Sequence, residues 1–476
     1  MPIREVSLHR AEPAVLAAGL QRLRTELGVP SAFPPPVLAE AQAVARTPRN
    51  SGADRTDVEF VTLDPEGALD LDQAFHLSRT PSGYLIRYAI ADVAAFVAPG
   101  GAIDAEAHAR GETLYAPTSR TALHPPLLSE GAASLLPGED RPALIWELGL
   151  DRQGATRDIT VTRGLIRSRA KLSYSGAQQQ LDAGTGGEQL ELLREIGTLR
   201  QRLEAARGGV SLSVPEQEVV PSDDSWGLAF RASLPIEEWN AQLSLATGMA
   251  AAQLMLQAGV GLLRTLPPAP DTAVARLRRT ASALAISWPQ AQPYPDFVRG
   301  LDASSPAHAA MLNACTLLFR GAGYAAFYGA APEQPLHAAI AAPYAHVTAP
   351  LRRLADRYAG EVCVAICAGR PVPEWVQAEL PALPEVMAES NRRANRYERG
   401  VVNLVEALVL EPMVGRTFTG TVLEVDGERD GGVLQLAEPA VEARVTGAGL
   451  VLGREVVARL VSADPVAGKV AFALVD

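Results

Sequence analysis

Two hydrophobic patterns divide the chain. Between residues 51 and 412, short apolar strands alternate with long alanine-rich stretches, whereas beyond Arg416 only short strands recur. The first strands are expected at Val58 to Leu63, Ala74 to Leu77 and Tyr84 to Ile90, the last running on into Ala91-Asp92-Val93. Their β-branched and aromatic residues suit a pleated, half-buried backbone. Helices are expected over Pro235 to Leu263, Ala303 to Ala322 and Pro350 to Ala368. Together these predict an α+β region built on a mixed or antiparallel sheet with packed helices.

The C-terminal segments T-F-T-G-T-V-L-E-V, G-G-V-L-Q-L, V-E-A-R-V, R-E-V-V-A-R-L-V and V-A-F-A-L-V are separated by glycine and aspartate turns. Five such strands in about sixty residues predict a small Greek-key barrel of the OB class over 413–476. Its only aromatics are Phe418 and Phe472, so it lacks the stacking platform that OB folds often offer to single strands. At the other end, Glu12 to Leu27 and Pro36 to Arg46 read as helices around the breaker-rich G-V-P-S-A-F-P-P-P. Residues 1–50 are thus expected to form a small helical segment, with a helix-turn-helix as its candidate form.

Length changes little in this picture: 476 residues exceed one comfortable core and suit roughly two to four domains. No apolar run reaches the roughly 18 residues of a membrane span, and M-P-I-R-E-V-S-L-H-R lacks a secretory apolar region. A cytoplasmic protein is expected. Its cysteines, Cys315, Cys363 and Cys367, cannot all pair and read as reduced core residues. The net charge of −11 speaks against indiscriminate nucleic-acid binding but not against a locally basic channel. Positive charge is almost all arginine, with Lys171 and Lys469 the only lysines, and it gathers at Arg163, Arg167, Arg169 and Lys171, at Arg276, Arg278 and Arg279, at Arg352, Arg353 and Arg357, and at Arg392, Arg393, Arg396 and Arg399. Each cluster reads either as a solvated helix face or as a phosphate contact.

The candidate chemistry lies at D-P-E-G-A-L-D-L-D-Q, which places Asp64, Asp70 and Asp72 close together, with Gln73 where a fourth acid would fit. Converging carboxylates must face water, shift their pKa upward or share a cation, and hard oxygen ligands point to Mg²⁺ or Mn²⁺. Taken alone, D-x5-D-x-D reads equally as an acidic, solvated turn between strands. His76, His337 and His346 are assigned to structure, because magnesium sites seldom use imidazole.

Five segments follow one another in order: T-L-D-P-E-G-A-L-D-L-D-Q-A with A-I-A-D-V, then G-E-T-L-Y-A-P, S-L-L-P-G-E-D-R-P-A-L, S-R-A-K-L-S-Y and Y-A-H-V-T-A-P-L-R-R. In this the chain resembles the ribonuclease II (RNB) family of 3′-to-5′ exoribonucleases. The resemblance implies an RNB catalytic domain over 51–412 with a C-terminal RNA-binding OB domain. It implies RNA with a free 3′ end, mainly single-stranded, as partner, and Mg²⁺, with Mn²⁺ as alternative, as cofactor. Two-metal hydrolysis to nucleoside 5′-monophosphates is the implied reaction. The family's cold-shock domains find no room in 1–50, which implies some entry into short duplexes. A monomer is expected.

By the same resemblance, Asp64, Asp70 and Asp72 match three of four catalytic, metal-holding aspartates, and Gln73 stands at the fourth, able to ligate through its carbonyl but without charge. Arg352 matches the arginine that holds the scissile phosphate; otherwise it is a surface arginine at a helix start. Arg353 is a secondary substrate contact or a partner of Asp356. Tyr115 matches a tyrosine that stacks on the terminal base, or else is buried at a strand end. Glu398 falls at a substrate-contacting acid, or else pairs with Arg393 or Arg396. Alanine at 349 and leucine at 354 depart from the family's serine and tyrosine. With Gln73, these departures keep open a second class of function, an RNA-binding paralogue of weakened catalysis.

Overall fold

The computed structural model describes residues 14–49, 52–117, 119–212, 216–222, 225–231, 233–302, 305–426 and 430–475. Helices α1 (Ala14–Leu27) and α2 (Pro35–Val44) precede the sheet. The expected start of the first helix at Glu12 lies outside the described residues. Strands β1 (Ala53–Asp54), β2 (Phe60–Asp64), β3 (Gln73–Thr80) and β4 (Gly83–Ala91) come next, then α3 (Ala102–Arg110), the short hairpin β5 (Leu114–Ala116) and β6 (Ser119–Thr121), and the long pair β7 (Asp140–Asp151) and β8 (Thr156–Ser173).

Six of these strands form one sheet in the order β1-β8-β2-β3-β4-β7. It is mixed: β2 runs parallel to β8, while β3, β4 and β7 are antiparallel neighbours. The first half of β8 also pairs with β7, so this one long strand touches both edges and curls the sheet. Against it pack α4 (Tyr174–Asp182), α5 (Gly187–Ala206) and α6 (Pro235–Ala258), whereas after the hairpin β9 (Glu216–Ser222) and β10 (Ser225–Arg231) and the strand β11 (Val260–Thr265) the helices α7 (Asp271–Ala283), α8 (Tyr294–Arg299) and α9 (Pro306–Cys315) share a separate core through Leu277, Phe297 and Met311. Strands β12 (Gly323–Tyr328), β13 (Leu336–His337) and β14 (Ala342–Pro343) lead to α10 (Leu354–Cys367), α11 (Glu374–Glu379) and α12 (Leu383–Leu410). The main core joins Tyr88, Trp146 and Leu148 of the sheet to Leu243 and Met255 of α6 and Tyr358 and Val362 of α10.

The expected helices are shorter than their apolar runs, for local reasons. The run Pro235 to Leu263 breaks at Gly259, whose φ of +72° ends α6 and turns the chain into β11. The run Ala303 to Ala322 yields α9 and a 3₁₀ turn over Thr316–Phe319; Ala303 itself lies outside the described residues. The run Pro350 to Ala368 becomes helical only at Leu354, because Arg353 is extended at φ −138° and ψ 126°.

Beyond Arg416 the five expected strands appear as β15 (Thr417–Asp426), β16 (Gly431–Leu436), β17 (Val441–Thr446), β18 (Glu455–Asp464) and β19 (Lys469–Leu474), closed in the order β15-β16-β17-β19-β18. One core joins this barrel to α1 and α12 through Leu20, Val405, Leu434 and Phe472. Helices α1 and α12 cross where Gly19 faces Leu404 and Gly400 faces Leu23; a Cβ on Gly19 would stand 2.6 Å from the Leu404 side chain. Arg22 Nη2 then donates to the carbonyl of Pro465 in the barrel at 3.0 Å. Cys315 and Cys363 are buried and all three cysteines are free thiols. Among the described residues no helix is long and apolar enough to cross a membrane.

Candidate active site

Segments far apart in sequence meet at the end of β2. The parallel register sets Asp64 opposite Ser173 of β8, and the loop that follows carries Asp70 and Asp72 into β3. Three of the segments singled out in the sequence secure that loop through Ala91, Ser134 with Leu135, and Lys171. The Asp72 carbonyl accepts from Ala91 N at 2.9 Å and the Leu71 carbonyl from Leu135 N at 3.0 Å. Ser134 Oγ accepts from Leu71 N at 2.9 Å and donates to the Leu69 carbonyl at 2.6 Å. Lys171 Nζ donates to the carbonyls of Glu66 and Ala68 at 2.7 and 2.5 Å. A loop so held keeps its carboxylates in place before any ligand arrives, which is the preorganisation a reactive site needs.

The Y-A-H-V-T-A-P-L-R-R segment closes over the same point. Gly248 of α6 makes this possible, since a Cβ there would lie 2.2 Å from the Tyr344 ring; its carbonyl instead accepts from Ala345 N at 3.1 Å. Leu351 N then donates to Asp72 Oδ1 at 2.8 Å, and Arg352 Nε lies 3.6 Å from Asp72 Oδ2. The Arg352 side chain is 42% exposed, so its guanidinium remains within reach of a phosphate.

Electrostatics single out two carboxylates. Burial pushes Asp64 up to about 7 and Asp72 up to about 8; Arg352 opposes both shifts, and the charge of Asp70 adds to them. Asp64 Oδ2 is buried without a hydrogen-bond partner. Carboxylates held this way are short of positive charge, and a hard divalent cation would supply it. The donor set therefore fits such an ion at Asp64 and Asp72. It does not extend to a third acid: among the described residues, no three Asp, Glu, His or Cys groups gather closely enough to hold a metal.

Two expected ligands are engaged elsewhere. Asp70 Oδ1 is held by Arg120 Nη1. Gln73, expected to ligate through its carbonyl, instead accepts there from Tyr88 OH and, at 3.4 Å, from Ser244 Oγ, while its Nε2 donates to the Thr348 carbonyl at 2.6 Å. An amide satisfied at both ends has a structural role, locking β3 to the 348–352 loop. Arg353 is likewise taken from the substrate: it is sealed in a bidentate pair with Asp356 at 2.9 and 2.8 Å, and Asp356 Oδ1 also accepts from Ala349 N. That pair shapes the loop which presents Arg352. Tyr115 is half-buried on β5, directly across the hairpin from Arg120. Glu398 is half-buried on α12, about 12 Å of helix rise beyond Ser390, which touches Glu112 beside this loop.

Arg120, Lys171, Tyr88, Ser244 and Ser134 were not singled out as partners of the acid loop from sequence. Only Tyr88 left a usable signal. Antiparallel pairing across the turn Thr80 to Gly83 puts it two pairs along from Gln73, on the same face. The basic run on β8 serves the protein itself: Arg163 binds Asp92 and Glu361, Arg167 binds Asp140 and Arg169 binds the Thr56 carbonyl. His346 Nδ1 meets Tyr324 OH at 2.6 Å, His76 Nδ1 meets the Glu59 carbonyl at 3.2 Å, and burial pushes His337 down to about 4.

Residues 53–366 match the RNB domain profile, more than half of the chain. The chain belongs to the RNB domain family. Behind the RNB domain, residues 416–475 match the RNase II-type exonuclease C-terminal S1 domain, in agreement with the barrel. Ribonuclease R of Aquifex aeolicus is 28% identical over 421 residues, covering 83% of this chain and 59% of that protein. The chain thus spans about three-fifths of the length of this curated relative. Mycoplasma genitalium RNase R, solved with ribose-methylated single-stranded RNA, superposes on 97% of this RNB chain and 78% of its own at TM-score 0.86 and 20% identity. Yeast Ssd1, a pseudonuclease, superposes at TM-score 0.70 and 18% identity, over 94% of this chain and 57% of its own. At such identities both structures establish the fold that the RNB chain shares.

Proposed function

We propose that this RNB chain is a divalent-metal-dependent 3′-to-5′ exoribonuclease, acting mainly on single-stranded RNA and releasing nucleoside 5′-monophosphates. The carrying observation is the buried Asp72 and the half-buried Asp64, its Oδ2 covered and unpartnered, beside the half-exposed Arg352. Hydrolysis requires a deprotonated water and positive charge beside the phosphate and the leaving 3′-oxygen. A divalent cation held by Asp64 and Asp72 would lower the pKa of its bound water and neutralise phosphate charge. Arg352 grips the scissile phosphate with a planar fork whose hold strengthens as charge grows on the phosphoryl oxygens. Leu351 N–H fixes the Asp72 carboxylate, so that Oδ2 points toward Arg352. Tyr115 offers a ring to the terminal base, a contact indifferent to base identity. Glu398 is the candidate acid farther along the strand.

One observation favours RNA-end binding without turnover: Gln73 is neutral and fully engaged. The two readings separate on a gel. A 5′-labelled single-stranded RNA is incubated with Mg²⁺, Mn²⁺ or EDTA beside the Asp72→Asn protein. A metal-dependent ladder absent from the variant is the expected result. Intact RNA with both metals, together with retained binding, would transfer the assignment to the binding paralogue.

A further inference from the structure

The acid loop carries more negative charge than one cation site uses, and the protein answers it internally. Asp70 lies close enough to Asp64 and Asp72 for its charge to act on both. Yet its Oδ1 belongs to Arg120, whose Nη2 reaches Glu130 Oε1 at 2.8 Å. The Arg120 and Asp70 side chains are 25% and 15% exposed, so the pair sits in a partly dry setting where a broken ion contact is not freely replaced by water. A divalent ion arriving at Asp70 would have to displace a charge-assisted bond from a guanidinium already anchored at its other end.

Gln73 is closed off from the opposite side, its carbonyl oxygen taken by Tyr88 and Ser244 and its amide nitrogen by Thr348. Two of the four positions in the acidic stretch are therefore filled by protein partners. We infer that Arg120 serves as a built-in cation on Asp70 in place of a second divalent ion, so that the site takes one exchangeable metal, at Asp64 and Asp72. The inference rests on the reading of this site as a metal site and sharpens it. Arg120 is in this sense a positioning residue. It faces Tyr115 across the β5–β6 hairpin, so the same guanidinium ties the acid loop to the hairpin proposed to receive the last base.

Metal stoichiometry tests this without reference to turnover. Mn²⁺ is titrated into the full chain, and the signal of free hexaaqua Mn²⁺ is read by electron paramagnetic resonance. One bound ion is expected for the wild type, one for Asp70→Asn and two for Arg120→Gln. Two ions on the wild type, no ion on Asp70→Asn, or an unchanged count in a folded Arg120→Gln would each overturn the role of Arg120 while leaving the metal site intact. No bound Mn²⁺ on the wild type would overturn the metal site itself. Asp70→Asn keeps its Arg120–Glu130 contact, so the test stands even where Arg120→Gln fails to fold.

Discussion

The RNB region and the C-terminal barrel treat charge in opposite ways. Asp72, Asp92, Asp104, Arg110, Asp356, Arg357 and Glu361 are all buried in the first, whereas no charged side chain is buried among the described residues of the barrel. Burying a charge costs several kcal/mol unless partners or ligands compensate. The RNB region sustains that cost, while the described barrel keeps its charged groups at the surface. Its two phenylalanines meet edge to face at 5.9 Å, with Phe472 buried, so the pair closes its own core. The chemistry and most of the grip on RNA are therefore expected from the RNB region, with the barrel as a weak guide.

Four experiments press on this contrast. The largest effect is expected from Asp72→Asn, with kcat down about 10³-fold or more, or about 4 kcal/mol, and RNA affinity retained or raised, because one negative charge near the phosphate is gone. Single-turnover assays beside filter binding read both; affinity collapsing with activity would make the carboxylate structural. Next comes Arg357→Met. Arg357 Nη1 lies 2.5 Å from Asp104 Oδ1 in the interior, and removing it strands a buried carboxylate at about 3–5 kcal/mol of stability in urea unfolding.

A smaller effect is tied to pH. Burial pushes His124 down to about 3, so its imidazole is neutral in the fold and protonates only on unfolding. A depressed histidine contributes stability that is present above about 6.5 and lost as pH falls toward the folded value. Between pH 7 and 5 the wild type should therefore lose about 2 kcal/mol more than His124→Gln. Tryptophan fluorescence reports this selectively, since Trp146, Trp226, Trp239, Trp288 and Trp375 all lie outside the barrel. Equal pH slopes in the two proteins would contradict a buried neutral ring. The smallest effect belongs to the barrel: Arg444 lies 4.0 Å from Asp426 with its side chain 70% exposed, and Arg444→Gln should change stability by no more than about 0.5 kcal/mol. A loss comparable to that of Arg357→Met would erase the contrast.

Much of the fold was legible because local pattern and tertiary demand agree. The barrel strands follow from alternating apolar residues between glycine turns, and each was located to within a few residues. The carboxylate pair and Arg352 were legible through motif order. The engagement of Gln73, Asp70 and Arg353 was less so, because a side chain's partner depends on what the fold brings across the loop. Arg120 is fifty residues from Asp70, and Thr348 is 275 residues from Gln73. Arg353 is the partial exception, since Asp356 is only three residues away. Helix ends depart from the apolar pattern where a single glycine or an extended arginine overrides the run.

The crossing of α1 over α12 has a consequence in time. Arg22 and Pro465, which it brings together, are 443 residues apart. At about 5–20 residues per second, ribosomal synthesis would separate them by about 20–90 seconds. Until α12 is made, late in that interval, Leu16 and Leu20 lack the α12 residues that share their core. Helix α1 is thus placed long after it is made, and its apolar stripe waits for most of that interval for the surface that covers it.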